Sequence, residues 1–271
     1  FRCLFFNTPK MIKKITSLQK PTIKNVILLQ EKSKERKNQG LFVVEGIREV
    51  EMALKNNYSI STIFYTEDGD NLNKWSQINQ EKHIVVSSII FEKMTYRGKA
   101  SSVLAIFQEK EHLLGNLKIS DNPFFLIVEG GEKPGNLGAI LRTADATNIS
   151  GVIFSNMPSD LYNPNLIRSS LGACFTVPIA LARNEEILFW LKKNKINTYV
   201  THLESSKNCF EIDFCQATAI VLGEEATGVC SFWSDRQFEH IIIPMNGTVN
   251  SLNLSNSAAI LSYEGFRQRN Q

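Results

Sequence analysis

Three short segments of this chain combine glycine turns with polar side chains, and each segment follows or contains an apolar run of strand length. The first, residues 129–146, reads EGGEKPGNLGAILRTADA and offers the amide of Asn136 and the guanidinium of Arg142. A glycine-rich turn that opens a helix presents backbone N–H groups, which favour a bound anion. The glycine spacing fits neither the G-x-G-x-x-G dinucleotide fingerprint nor the G-x-x-x-x-G-K-[ST] phosphate loop. The segment alone is compatible with a ligand site of another type or with a structural ion pair of Arg142.

The second segment, residues 219–229, is an apolar run that ends in Gly223 and Glu224. Ligands of open α/β sheets bind just beyond the carboxyl ends of the strands. Glycine at this point would let a flat adenine or ribose approach the backbone. A plain strand-to-helix turn is the simpler interpretation of this segment when it is considered alone.

The third segment, residues 241–260, runs from an apolar stretch through Pro244 into a helical pattern. Ser251 and Asn253, followed closely by two more polar residues, bring hydroxyls and amides to the start of that helix. Capping a helix needs only one or two such side chains. The surplus therefore indicates a binding role.

Composition excludes several classes of protein. The chain has 271 residues, of which 43% are hydrophobic and 21% charged, as is typical of globular domains. Its five cysteines form no C-x-x-C pair and no Cys/His cluster with zinc spacing, so we expect reduced thiols, no metal site and a cytoplasmic protein. No apolar run approaches the roughly 18 residues of a membrane span, so no membrane association is expected.

Basic residues are concentrated near the start of the chain. Between residues 10 and 37 the sequence has nine Lys or Arg residues, against only Glu31 and Glu35. Such a stretch can approach a phosphate backbone, but on charge alone a solvated helix face is the favoured interpretation.

Hydrophobic periodicity divides the chain into two α/β series. Residues 1–19 are expected to be a poorly structured extension, 20–108 a first domain, 109–122 a linker and 123–271 a second domain. The predicted elements of the first domain are helices 21–38, 47–57 and 89–94 and strands 41–44, 60–65, 83–87 and 103–108. Those of the second are strands 124–128, 151–154, 177–179, 198–201, 219–222 and 241–243 and helices 137–147, 164–172, 185–194 and 251–268. Continuous apolar strands that alternate with helices predict a mostly parallel sheet covered on both faces.

Taken together, the three segments resemble the SpoU/TrmH branch of the SPOUT class, a family of RNA 2′-O-ribose methyltransferases. Their order and spacing agree with the family over most of residues 123–271. Residues 20–108 resemble, more loosely, the family's ribosomal-protein-like substrate-binding domain through the segment GLFVVEG at 40–46.

The resemblance implies a fold, a cofactor and a set of site residues. It implies a trefoil knot in the second domain, which sequence reasoning alone would reject because knots are rare. It also implies S-adenosylmethionine as methyl donor and a homodimer with sites at the subunit interface. The implied donor-binding residues are Gly223, Ile243, Leu252 and Met245, and the implied catalytic residues are Arg142, Asn136, Glu224, Ser251 and Asn253.

The family's assignment of Arg142 to activate the ribose hydroxyl needs a physical qualification. A guanidinium stays protonated in proteins, which makes it a poor general base. We therefore expect Arg142 to bind the adjacent phosphate and to stabilise developing oxyanion charge.

The expected partner is structured RNA, with rRNA favoured over tRNA, read by the N-terminal domain through its shape and phosphates. The candidate phosphate contacts are Lys32, Lys34, Arg36, Lys37, Arg48, Arg97 and Lys99. Three alternatives remain open at this point: a base-modifying enzyme of the same class, a non-catalytic RNA-binding or assembly factor, and, least favoured, a nucleotide-dependent oxidoreductase.

Overall fold

A computed structural model describes residues 12–66, 74–96, 102–131, 133–205, 207–224, 228–235 and 237–271. The chain divides into two compact units, Phe1–Glu109 and Lys110–Gln271. Among the described residues, no helix combines the length and apolar character that crossing a membrane requires.

The first unit is a small mixed sheet with helices packed against it. Its described strands are β1 (Lys13–Ile15), β2 (Leu41–Glu45), β3 (Ile60–Thr66), β4 (His83–Val86) and β5 (Val103–Gln108), and its helices are α1 (Pro21–Glu31), α2 (Ser33–Gln39), α3 (Ile47–Lys55) and α4 (Ser88–Met94). Their order across the sheet is β1-β4-β3-β5-β2, in which β5 is antiparallel to both of its neighbours. The predicted α/β layer is therefore present.

Two corrections in this unit concern secondary structure. Within the predicted extension, residues 13–15 form β1, which pairs in parallel with β4 because Ile15 buries its side chain to 2% exposure. Residues 1–11 lie outside the described part of the chain. The predicted helix 21–38 is two helices, because Lys32 has an extended backbone (φ −118°, ψ 109°).

Arg36 was expected at a phosphate, but the structure buries it to 1% exposure. Its Nη1 donates to the carbonyl oxygens of Leu29 (2.5 Å) and Gln30 (3.1 Å) at the end of α1. A helix end leaves carbonyl groups without intrahelical partners, and a cationic side chain satisfies them well. Arg36 is thus a structural residue, whereas Lys32, Lys34, Lys37 and Arg48 are exposed. Arg97 and Lys99 lie outside the described residues.

Replacing Arg36 by alanine is expected to lower the free energy of unfolding by about 2–4 kcal/mol, because two buried carbonyls lose a charged donor. The neighbouring Lys37→Ala variant is the matched control and should change stability by no more than about 0.5 kcal/mol. Chemical denaturation of both variants measures the difference. Equal stability losses would contradict the buried capping role.

The second unit is a parallel sheet with helices on both faces. Its described strands are β6 (Phe124–Glu129), β7 (Gly151–Ser155), β8 (Ile179–Ala182), β9 (Asn197–Thr201), β10 (Thr218–Leu222) and β11 (Glu239–Ile241), in the order β11-β9-β10-β6-β7-β8. The helices are α5 (Pro134–Ala146), α6 (Pro164–Ser170), α7 (Ala173–Thr176), α8 (Asn184–Lys193) and α9 (Leu254–Arg269).

Neighbouring residues of β6 show how both faces are covered. Phe125 packs in one core cluster with Ile187 of α8. Phe124 points to the opposite face, where Gly265 of α9 approaches its ring so closely that an added Cβ would lie 2.7 Å from Cε2. The predicted parallel sheet with helices on both faces is confirmed, and the trefoil knot stays a prediction.

Several predicted boundaries in this unit shift, and the helix expected at 137–147 begins at Pro134. The strand expected at 177–179 lies at Ile179–Ala182, and the strand expected at 241–243 ends at Ile241. The helix expected from residue 251 begins at Leu254, because the side chain of Asn253 caps it. Ile243 and Ser251 therefore lie in the connecting segment, on neither a strand nor a helix.

Candidate functional site

A cavity of about 370 Å³ opens where β9, β10 and β11 end, at the carboxyl edge of the sheet. This volume lies within the range of small-molecule sites, and the location is the one that open parallel sheets use for ligands. The described lining residues come from three parts of the chain: 201–204, 222–224 with 228–229, and 241–257. The sequence-predicted residues among them are Gly223, Glu224, Ile243, Met245, Ser251 and Leu252.

Residue 223 has to be glycine because backbone atoms of Gly228 and Val229 pack directly against it. A Cβ at this position would lie 2.2 Å from the carbonyl carbon of Gly228 and 2.3 Å from the backbone nitrogen of Val229. Backbone atoms cannot be this close to a Cβ, so only glycine allows residues 228–229 to pack against β10. The expectation that the missing side chain admits a ligand overlooked this contact.

Glu224 connects the second sequence segment to the first. Its backbone N–H donates to the carbonyl of Gly228 (3.0 Å), and the N–H of Gly228 donates back to the carbonyl of Glu224 (2.9 Å). Its side chain lies over Gly130, where an added Cβ would be 2.8 Å from Oε1. Gly130 has a positive φ of 75°, which glycine adopts without strain. The carboxylate therefore lies between the turn after β6 and the cavity.

Asn253 connects the third segment to the first. Its Oδ1 accepts a hydrogen bond from the backbone N–H of Ser255 (2.9 Å) and so caps α9. Its Nδ2 donates to Oδ1 of Asn136 at 3.3 Å, although 117 residues separate the two in sequence. A single side chain thus caps a helix and contacts the first motif.

Three predicted site residues, Asn136, Arg142 and Asn253, do not line the cavity. Asn136 and Asn253 are hydrogen-bonded to each other next to the lining residues Leu252 and Leu254, whereas Arg142 has no such link among the described residues. Arg142 is exposed on α5. Asn136 and Arg142 are six residues apart on one helix, which separates them by about 9 Å along its axis and about 240° around it. Asn136 faces Asn253, so Arg142 faces elsewhere.

The cavity also contains residues that the motifs did not indicate. One wall is formed by the last residue of β9 and the three residues after it: Thr201, His202, Leu203 and Glu204. The ring of His202 stacks on that of His240, with centroids 5.1 Å apart and planes 14° apart. The sequence did contain a signal for this wall, namely the strand predicted at 198–201. In a parallel sheet the carboxyl end of that strand lies at the same edge as the carboxyl end of β10.

The fold and the cavity define an α/β protein with a cavity of small-molecule size at the carboxyl edge of a parallel sheet. Comparison with protein-family models gives two matches: the SpoU rRNA methylase family over residues 123–263 and an MRM3-like substrate binding domain over residues 20–105. The chain belongs to the SpoU rRNA methylase family. The resemblance inferred from the three segments is confirmed, as is the presence of an N-terminal substrate-binding domain.

Individual relatives cover nearly the whole chain. A 23S rRNA (uridine(2479)-2′-O)-methyltransferase of Streptomyces viridochromogenes is 27% identical over 87% of this chain and 85% of its own length. The crystal structure of an RNA 2′-O ribose methyltransferase is 32% identical, with a TM-score of 0.80 over 94% of this chain and 99% of that one. An AdoMet-bound rRNA methyltransferase of Sinorhizobium meliloti is 26% identical, with a TM-score of 0.87 over 94% of this chain and 97% of that one.

Proposed function

We propose that this chain is an S-adenosylmethionine-dependent methyltransferase that modifies a ribose 2′-hydroxyl in RNA, with rRNA as the preferred substrate. The observation that carries the proposal is the cavity at the carboxyl edge of the parallel sheet, where the second and third family segments line one pocket and the first adjoins it. The S. viridochromogenes relative, named for a ribose position in 23S rRNA, supports the substrate class.

The residues of the cavity fit the methyl donor. Gly223 allows two backbone segments to come together at one wall, and Ile243 and Leu252 contribute to the same lining. We assign donor binding to these three residues, with Met245 beside them. The carboxylate of Glu224 favours a cationic ligand, since opposite charges attract across a partly dehydrated site. When bound, the donor supplies an electrophilic sulfonium methyl group.

For the acceptor, the chain has to hold one ribose hydroxyl in line with that methyl group and stabilise the charge that develops on its oxygen. Positioning accounts for most of the rate in such a reaction. We assign orientation of the two reactants to Asn136, Glu224, Ser251 and Asn253. Arg142 supplies a fixed cation for the adjacent phosphate and the developing oxyanion.

Arg142 is exposed, does not line the cavity of its own subunit and lies on a different face of α5 from Asn136. We therefore propose a homodimer in which Arg142 of one subunit serves the cavity of the other. Tyr263 and Phe266, with exposures of 53% and 42%, form an aromatic pair on α9 that a second subunit would cover. The proposed location is cytoplasmic, together with the RNA substrate.

Mapping ribose methylation in total RNA from cells with and without the gene is the direct test. We expect one 2′-O-methyl group, most simply in rRNA, to disappear when the gene is deleted and to return with the wild-type gene. Restoration by the wild type but not by a Gly223→Ala variant would link the mark to the cavity. An unchanged ribose map with a lost base methylation would instead support a base-modifying enzyme.

The non-catalytic alternative makes a different prediction for the purified protein. It would bind S-adenosylmethionine or RNA without transferring a methyl group to any cellular RNA. Incubation with labelled donor and RNA from the deletion strain, followed by nuclease digestion and mass spectrometry, separates the two. Failure of donor binding by the folded wild-type protein would overturn the proposed function as a whole.

A further inference from the structure

A buried carboxylate lies directly behind the wall of the cavity. Glu129 is the last residue of β6 and is only 6% exposed. In the parallel pairing of β6 with β10, Val128 lies opposite Leu222, so Glu129 continues the register beside Gly223. Its side chain does not line the cavity, so direct contact with a ligand does not explain its burial.

The carboxylate of Glu129 is held by three hydrogen-bond donors. Oε2 accepts the backbone N–H of Cys230 at 2.7 Å, and Oε1 accepts the amide of Asn184 at 2.8 Å and the thiol of Cys230. Burial and the hydrogen bond to Glu129 raise the pKa of the Cys230 thiol, so the thiol remains a proton donor at neutral pH. Hydrogen bonds from donors in fixed positions offset the free-energy cost of removing a carboxylate from water.

Asn184 is itself locked in place. It begins α8 and is 3% exposed, and its Oδ1 accepts the indole N–H of Trp233 (2.7 Å) and the hydroxyl of Ser155. Trp233 is fully buried. The carboxylate of Glu129 therefore has a fixed position, and it also fixes the groups that are hydrogen-bonded to it.

The carboxylate of Glu129 holds the backbone of Cys230, which directly follows the cavity-lining residues Gly228 and Val229. At one end, Gly228 is fixed by its two backbone hydrogen bonds with Glu224. At the other end, the N–H of Cys230 donates to Glu129, 101 residues away in sequence. The carbonyl of Cys230 also accepts hydrogen bonds from the N–H groups of Trp233 and Ser234. The bond to Glu129 adds a contact that ties residues 228–230 to the end of β6.

We propose that Glu129 is a positioning residue that holds residues 228–230 in place and thereby sets the affinity of the cavity for the methyl donor. The proposal rests on the proposed function, since it concerns the same cavity. It assigns a role to a buried carboxylate that does not line the cavity.

The test uses the full-length protein with Glu129→Gln, which keeps the size of the side chain. The new NH₂ group would face either the N–H of Cys230 or the amide of Asn184, so one donor loses its acceptor. We expect the Kd for S-adenosylmethionine and for S-adenosylhomocysteine, measured by calorimetry, to rise about 10- to 100-fold. Amide hydrogen exchange at Cys230 should become at least about tenfold faster, while the KM for RNA changes by less than about twofold.

Glu264→Gln is the matched control, because Glu264 is also a buried carboxylate (8% exposed) and does not line the cavity. It accepts hydrogen bonds from Arg267 and Gln268 on α9, so its loss should lower stability without changing donor affinity. Glu129→Asp, which withdraws the carboxylate by one methylene, is measured in parallel and should show the same loss of affinity.

The outcomes separate this proposal from the proposed function. If the wild type binds the donor and folded Glu129→Gln binds it within twofold, with unchanged exchange at Cys230, the positioning role is wrong while the function stands. Equal losses of affinity in Glu129→Gln and Glu264→Gln, or failure of both Glu129 variants to fold, would assign Glu129 to general stability and also overturn it. No donor binding by the wild type would remove the function itself.

Discussion

The Gly223→Ala variant is expected to lose at least about a hundredfold in affinity for S-adenosylmethionine, which corresponds to about 2.7 kcal/mol of binding free energy. The reason is steric. The added Cβ would lie 2.2 Å from the carbonyl carbon of Gly228, and both partners of that clash are backbone. Since no side chain can rotate away, residues 228–229 must move, and they form part of the cavity wall. Calorimetric titration with the donor measures the loss.

The control for this variant makes the same chemical change where space is available. Gly115 has no heavy atom within 4 Å of an added Cβ and lies outside the cavity. Gly115→Ala should therefore retain the affinity of the wild type. A Gly223→Ala protein that is folded, as judged by its thermal unfolding, and that binds the donor normally would show that residues 228–229 can adapt. The steric argument that makes Gly223 essential for donor binding would then be wrong.

Replacing Arg142 by alanine is expected to reduce turnover by at least about a hundredfold, because a fixed cation near a developing oxyanion contributes several kcal/mol to the barrier. Donor affinity should stay within about twofold of the wild type, since Arg142 does not line the cavity. Arg142→Lys keeps the charge but not the planar fork, so it should recover only part of the rate. Single-turnover methylation of the target RNA measures these rates.

Arg183→Ala is the control for Arg142, because Arg183 is an arginine with a side chain 75% exposed, paired with Glu186. An exposed ion pair contributes little, so this variant should behave as the wild type. If Arg142→Lys had near-normal turnover and an unchanged pH profile, the specific role of the guanidinium would be wrong.

The two variants together test whether Arg142 acts across a dimer interface. Gly223→Ala damages the cavity of its own chain, and Arg142→Ala lacks the cation. If the cation acts on the other subunit, a mixed dimer has one intact site. Random pairing of equal amounts would then restore about a quarter of wild-type activity. If Arg142 serves its own cavity, co-expression of the two variants restores nothing, and the proposed arrangement of the dimer is wrong.

The sequence by itself determined the elements and the family. Strands such as β2, β6 and β10 are runs of apolar residues whose local pattern is sufficient to identify them. The family resemblance of the three segments also implied a set of donor-binding and catalytic residues, six of which line the cavity. These features depend on residues that are neighbours in the chain, and such patterns can be read without the fold.

Only the tertiary structure decided which polar groups form hydrogen bonds with one another. Charge patterning placed Arg36 on the surface, but the extended backbone at Lys32 turns α2 so that Arg36 caps the end of α1. In the sequence Glu129 was only the first residue of the glycine-rich segment, yet its carboxylate accepts a hydrogen bond from the N–H of Cys230, 101 residues away. A hydrogen bond depends on positions within a few tenths of an ångström, and strand order and register fix those positions. Local sequence patterns carry no information on either, so the contacts that shape the cavity appear only when the chain is folded.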